Sequence, residues 1–201
     1  MPKINYRIPN QGFEFVRDRI ANILDDELNN QSYMYLDEDL EAGVVIENNN
    51  PYKDIKDLSI INVSLSGGTY DQKHMNSVVG AYPYFIDVTC YAKSNKDAAG
   101  DYFSSLKLER LVGAIRYILE DPDYKTLGFT PGFITRTFIN NFDISDQVKN
   151  DSLSVTTCRI VFMVQLVESN KFKTPSLIDG YDTKVTLGGT NKGYQFIGNN
   201  Y

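Results

Sequence analysis

Tyr84-Phe85-Ile86-Asp87-Val88-Thr89-Cys90-Tyr91-Ala92 alternates from one side of an extended chain to the other. Tyr84, Ile86, Val88, Cys90 and Ala92 form one apolar face, and Phe85, Asp87, Thr89 and Tyr91 form a mixed one. This is the pattern of a strand with one side in a core and the other partly covered. The residues that follow change period. Ala98, Tyr102, Leu106, Leu108, Leu111, Val112, Ile115, Ile118 and Leu119 recur at helical spacings, which predicts a helix over 97–119 with a broad apolar face. Ser94 or Asn95 supplies a start signal, and Asp121-Pro122 a stop.

A second alternating run closes the pattern at 153–167. Cys158, Ile160, Phe162, Val164 and Leu166 share one face, and Arg159, Val161, Met163, Gln165 and Val167 the other. It is the best candidate for a central strand. Phe133–Ile139 reads as a further strand bounded by Asn140-Asn141. Leu58–Leu65 reads as another, with Ile61, Val63 and Leu65 on one face and Gly67-Gly68 as its stop. A short strand, Val44–Ile46, precedes it across the turn Asn48–Pro51. The stretch 69–81 is weakly patterned, either a long loop or a strand extension. Upstream, Phe13, Val16, Ile20, Ile23, Leu24 and Leu28 predict a first helix over 13–28, ended by the polar run Asn29–Ser32.

These elements predict an α+β fold, an antiparallel or mixed sheet packed against two helices with extended N- and C-terminal arms. Residues 1–11, with Pro2 and Pro9, form the first arm and 12–169 the domain. Residues 170–201 form the second arm, rich in glycine, with only Lys184–Leu187 patterned as a strand. The tail is too poor in core residues to be a domain. Yet it keeps Phe172, Leu177, Tyr181, Phe196 and other large apolar groups. It therefore lies on a neighbouring subunit or folds back over its own sheet.

Composition narrows the function classes. The chain of 201 residues is 42% hydrophobic, with fourteen Tyr and eleven Phe but no Trp. Tyr combines an apolar body with a polar tip and suits surfaces that alternate between wet and buried. A net charge of −6 argues against a general nucleic-acid binder. No apolar run approaches a bilayer span, and the N-terminus lacks a secretory apolar stretch. Asn30, Asn62 and Asn150 match the glycosylation pattern, which has no meaning without export. Cys90 and Cys158 fall on apolar strand faces and read as buried free thiols in a reducing compartment.

Catalytic chemistry is not legible. His74 is the only histidine. It stands near Asp71 in a weakly patterned stretch, and any serine or cysteine triad would have to recruit it. Asp37, Glu38, Asp39 and Glu41 lack the ligand spacing and central glycine of a calcium loop. Asp25-Asp26-Glu27 sits toward a helix C-terminus, where acids gain nothing from the dipole. Ser66-Gly67-Gly68-Thr69 and Leu187-Gly188-Gly189-Thr190 lack the spacing of a phosphate loop. Lys171, Lys173 and Lys184 are interrupted by Asp179 and Asp182 and form no nucleic-acid platform. The reading is of a non-enzyme with no catalytic, cofactor-binding or metal residues.

The run Tyr84–Ala92, the helix end Leu111-Val112-Gly113-Ala114-Ile115-Arg116-Tyr117-Ile118-Leu119 and the closing strand Arg159–Glu168 together resemble bacteriophage tail terminator proteins. These are also called tail completion or head–tail joining proteins. The resemblance covers about residues 12–169 as a strand–helix–strand rhythm rather than a signature. It implies a small α+β subunit of a homo-oligomeric ring, hexameric or larger, in the tail or neck of a virion assembled in the host cytoplasm. Other tail, neck or connector proteins would be its partners. Genome DNA would pass through the channel without sequence-specific binding, and no membrane is involved. The greater length and the tail 170–201 depart from the pattern. The alternatives are a subunit of another oligomeric tube, sheath or secretion-type assembly, or a monomeric protein-binding module.

Overall fold

A computed structural model describes residues 10–47, 59–74, 77–93, 100–150, 153–169, 180–186 and 193–199. The chain divides into two compact units, residues 1–169 and 170–201. The first is an α+β layer. Two helices, α1 (Gly12–Tyr35) and α2 (Gly100–Glu120), lie over one face of a six-stranded mixed sheet. Its strands are β1 (Ala42–Ile46), β2 (Ser59–Leu65), β3 (Thr69–His74), β4 (Ser77–Lys93), β5 (Ile134–Asn150) and β6 (Leu153–Ser169). The order is β1-β2-β4-β6-β5, with β3 continuing the line of β2 along the same edge of β4. Among the described strands β1 and β2 run parallel and the other pairs antiparallel. Among the described residues no helix is long and apolar enough to cross a membrane.

The core follows from strand register. Directly opposed residues of antiparallel strands share a face. Ile86 lies opposite Val63 and Ile160, Tyr84 opposite Leu65 and Phe162, and Val88 opposite Ile61 and Cys158. This face meets Val16, Ile20, Leu24 and Leu28 of α1 and Leu108, Leu111, Ile115 and Leu119 of α2. A polar seam lets α2 approach β6 closely. The Ser104 and Ser154 hydroxyls lie 3.3 Å apart, and the Thr156 hydroxyl donates to the Ser104 carbonyl at 3.0 Å, all buried.

Two tyrosines of β4 anchor the start of α1. Tyr84 Oη donates to the Phe13 carbonyl at 2.8 Å. Tyr82 Oη donates to the Glu168 carboxylate at 2.9 Å, and the same carboxylate accepts the Gly12 N–H at 2.9 Å. An acid at a helix N-terminus satisfies an orphan donor and complements the dipole. Gly68 and Gly80 make room for the Tyr82 ring, which a Cβ at either position would meet within 2.7 Å. Gln11 and Glu14 close a reciprocal capping box at the same end.

Several expectations need correction. The first helix runs seven residues beyond Leu28, to Tyr35. Asn29–Ser32 do not end it, because polar residues on an overhanging helix face solvent at little cost. It stops at Leu36, in the left-handed conformation at φ 52°, where the Asp37 N–H reaches the Ser32 carbonyl. On α2, Tyr102 and Leu106 are exposed rather than core, and Ser104 takes the buried place. The helix starts at Gly100; Ala98 lies outside the described residues.

The strand expected over 133–139 continues to Asn150. A bulge lies between Ile139 and Asn141, so one extra residue shifts the alternation and the strand goes on. The weakly patterned stretch 69–81 is the β3–β4 hairpin. In the second unit, the strand expected at Lys184–Leu187 is β7 (Gly180–Thr186), which pairs antiparallel with β8 (Gly193–Asn199). Pairing between two weakly patterned segments is not visible in either alone. The N-terminal arm, apart from Asn10 and Gln11, lies outside the described residues.

Candidate assembly interface

The sheet face opposite the helices is built from rows of opposed residues. Asp87, Arg159 and Asp143 stand side by side across β4, β6 and β5. Arg159 makes a two-pronged contact with Asp87, 2.7 Å through Nε and 3.0 Å through an Nη, and its guanidinium lies 4.4 Å from the centre of the Phe85 ring. The hydrogen bond to Asp87 holds the Arg159 pKa above its usual value, against the effect of burial. The next row sets Phe85 beside Val161 and Asn141, and the one after it Pro83 beside Met163 and Phe138. Arg136 lies 4.5 Å over Phe138. Phe85, Val161, Met163 and Phe138 are half-buried. Both helices pack on the other face, so this band is uncovered by any described element of the first unit.

Among the described residues of the first unit, the sheet ends in two unlike edges without a further strand. β5, seventeen residues long, pairs with β6 alone among the described strands and carries three bulges. The bulge at Asn140 brings Phe142 opposite Ile160 and Ile144 opposite Cys158, on the helix side of the sheet, where both remain about half exposed. At the far end β1 pairs with β2 alone among the described strands, and its last residue, Ile46, is exposed. Such edges present free N–H and C=O groups to another chain, and bulges limit indiscriminate pairing.

Among the described residues the two cysteines and the acidic turn lie on separate elements. His74 closes β3 opposite Ser77, and Asp71 stands opposite Val79. Cys90 and Cys158 are free and buried on the core face. Burial pushes both thiols up, Cys158 to about 11. In the acidic turn, Asp37 accepts two hydrogen bonds from Arg110, at 2.8 and 3.0 Å, and caps the single 3₁₀ turn Glu38–Leu40. Glu27 accepts a short hydrogen bond from Tyr124, which raises that phenol to about 12. Ser66–Thr69 is the kink between β2 and β3 rather than a loop before a helix, and Leu187–Thr190 lies outside the described residues. Among the described residues no group of three or more His, Cys, Asp or Glu could hold a metal ion.

Sequence reading missed Tyr82 and Glu168 as a structural pair, and it missed the exposed run Tyr33-Met34-Tyr35-Leu36. The second had a signal: four large apolar residues in succession, directly after a polar stretch, cannot all face one core. Compared with known proteins, the chain matches no family model and no curated sequence.

Proposed function

We propose that this chain is a non-enzymatic structural subunit that joins with copies of itself into a ring at a bacteriophage tail or head–tail junction. The ring would join tail to neck and leave a channel for DNA. The observation that carries the reading is the pair of unlike sheet edges that no described strand covers. A contact between two different surfaces propagates from copy to copy and closes when its rotation allows. The β5 edge, with Phe142 and Ile144, and the β1 edge, with Ile46, lie at opposite ends of the strand order. They supply two such surfaces. The net charge of −6 suits a channel past which a polyanion slides without sticking.

The test is native mass spectrometry of the full chain and of a Phe142→Lys/Ile144→Lys variant, with circular dichroism as the folding control. The reading expects rings from the first and loss of the ring mass in a folded second. Ring mass unchanged in the variant rejects the β5 edge as the subunit contact.

A further inference from the structure

The last two turns of α1 leave the body of the protein. Leu28 is its final buried residue, and from Asn29 to Tyr35 no side chain is buried. The overhang ends in Tyr33, Met34, Tyr35 and Leu36, with Tyr33 85% and Leu36 87% exposed. The Asp37–Arg110 ion pair ties this end to α2, one helical turn from Leu106. Along α2, Phe103, Leu106, Arg110, Gly113 and Tyr117 recur at spacings of three and four, forming one outward stripe. Its three apolar members are exposed, Tyr117 by 76%. A Cβ added at Gly113 would meet nothing, so the stripe has an open notch in its second half.

The size of this surface is informative. Taking about 150–250 Å² for each aromatic side chain, Tyr33, Tyr35, Phe103 and Tyr117 leave roughly 500–600 Å² in water. Met34, Leu36 and Leu106 bring the total to about 900 Å², beyond the roughly 300–600 Å² of the largest patch on a typical monomer. It matches the ~800 Å² that each partner contributes to a standard interface. The charges around it are of both signs: Glu38 and Asp39 on the turn and Lys107 on the helix, with Asp37 and Arg110 held by each other. A surface carrying its own acids beside its own bases is complementary to a rotated copy of itself.

We propose that this patch is a two-fold contact with a second copy of the chain, in which the two α2 helices cross antiparallel at Gly113 and the two α1 ends flank them. A patch that meets itself is isologous and stops at two copies. Glycine at the crossing lets the backbones approach. The contact is separate from the sheet edges and does not depend on the ring reading.

A Gly113→Cys variant of the full chain tests it. Two cysteines on a two-fold axis come within the Cα separation of about 4.4–6.8 Å that a disulfide requires. The native thiols are buried and give little background. Mild oxidation is expected to yield a covalent dimer and nothing larger, whereas Gly113→Cys/Leu106→Glu, folded by circular dichroism, loses at least about tenfold of that cross-linking. Phe142→Lys/Ile144→Lys added to Gly113→Cys leaves the dimer intact, which separates this contact from the ring contact. No cross-link in folded Gly113→Cys, or a cross-link unaffected by Leu106→Glu, overturns the proposal.

Discussion

Leu111→Ala measures how the helical layer holds the sheet. Leu111 is fully buried in the middle of α2, on the stripe that faces β4 and β6. Truncation removes three carbons. At about 0.8 kcal/mol per buried methylene the lost transfer energy is about 2.4 kcal/mol. A residual cavity of about 60 Å³, at ~24 cal/mol per Å³, adds about 1.4 kcal/mol. The expected loss is therefore about 4 kcal/mol. With a urea dependence of about 2 kcal/mol/M, the unfolding midpoint falls by about 2 M. Far-UV circular dichroism is the suitable probe, since the chain has no Trp. Leu106→Ala, five residues back and 42% exposed, is the matched control, with an expected loss under about 1 kcal/mol. A Leu111→Ala loss below about half a kcal/mol, or equal losses at both sites, would show that the face of α2 has been misassigned.

Cys90 and Cys158 are expected to be reduced and slow to label under native conditions. Because burial holds the Cys158 thiol at about 11, the unfolded chain ionises first as pH rises. The thiol's contribution is thus fully present below its unfolded pKa of about 8.5 and is lost progressively toward 11. A urea midpoint for Cys158→Ala that falls between pH 8 and 10 as steeply as the parent's would refute this. Glu168→Ala leaves the Gly12 N–H and the Tyr82 hydroxyl without their acceptor, at an expected cost of about 1.5–3 kcal/mol; an unchanged midpoint rejects the anchor. Deleting residues 170–201 is expected to leave the first unit folded and no longer able to assemble. Normal assembly would show that the tail is not an assembly device, and unfolding would make it part of the domain's core.

The sequence made the layer architecture legible because two strong periods occur in it. The alternation at Tyr84–Ala92 and 153–167 and the helical stripe ending at Leu119 all reflect burial against one another, and burial is what periodicity records. It failed where pattern and burial part company. Polar Asn29–Ser32 stay helical because an overhanging helix has no buried side to declare. Asn140 looks like a strand end because a bulge shifts the alternation by one residue. Tyr102 and Leu106 look like core because an apolar residue on an exposed helix face reads the same as one in the interior. Glu168 and Tyr82 meet across strands far apart in the chain, a pairing that no local window contains. The candidate surfaces were the least legible part, since edges and overhangs are defined by what fails to pack on them.

The most direct measurement is the mass and shape of the full chain at micromolar concentration, by native mass spectrometry with negative-stain electron microscopy of the same sample. The account predicts closed particles of about six copies or more with a central opening. A chain that stays monomeric at every concentration, or that grows into open filaments without closing, contradicts it.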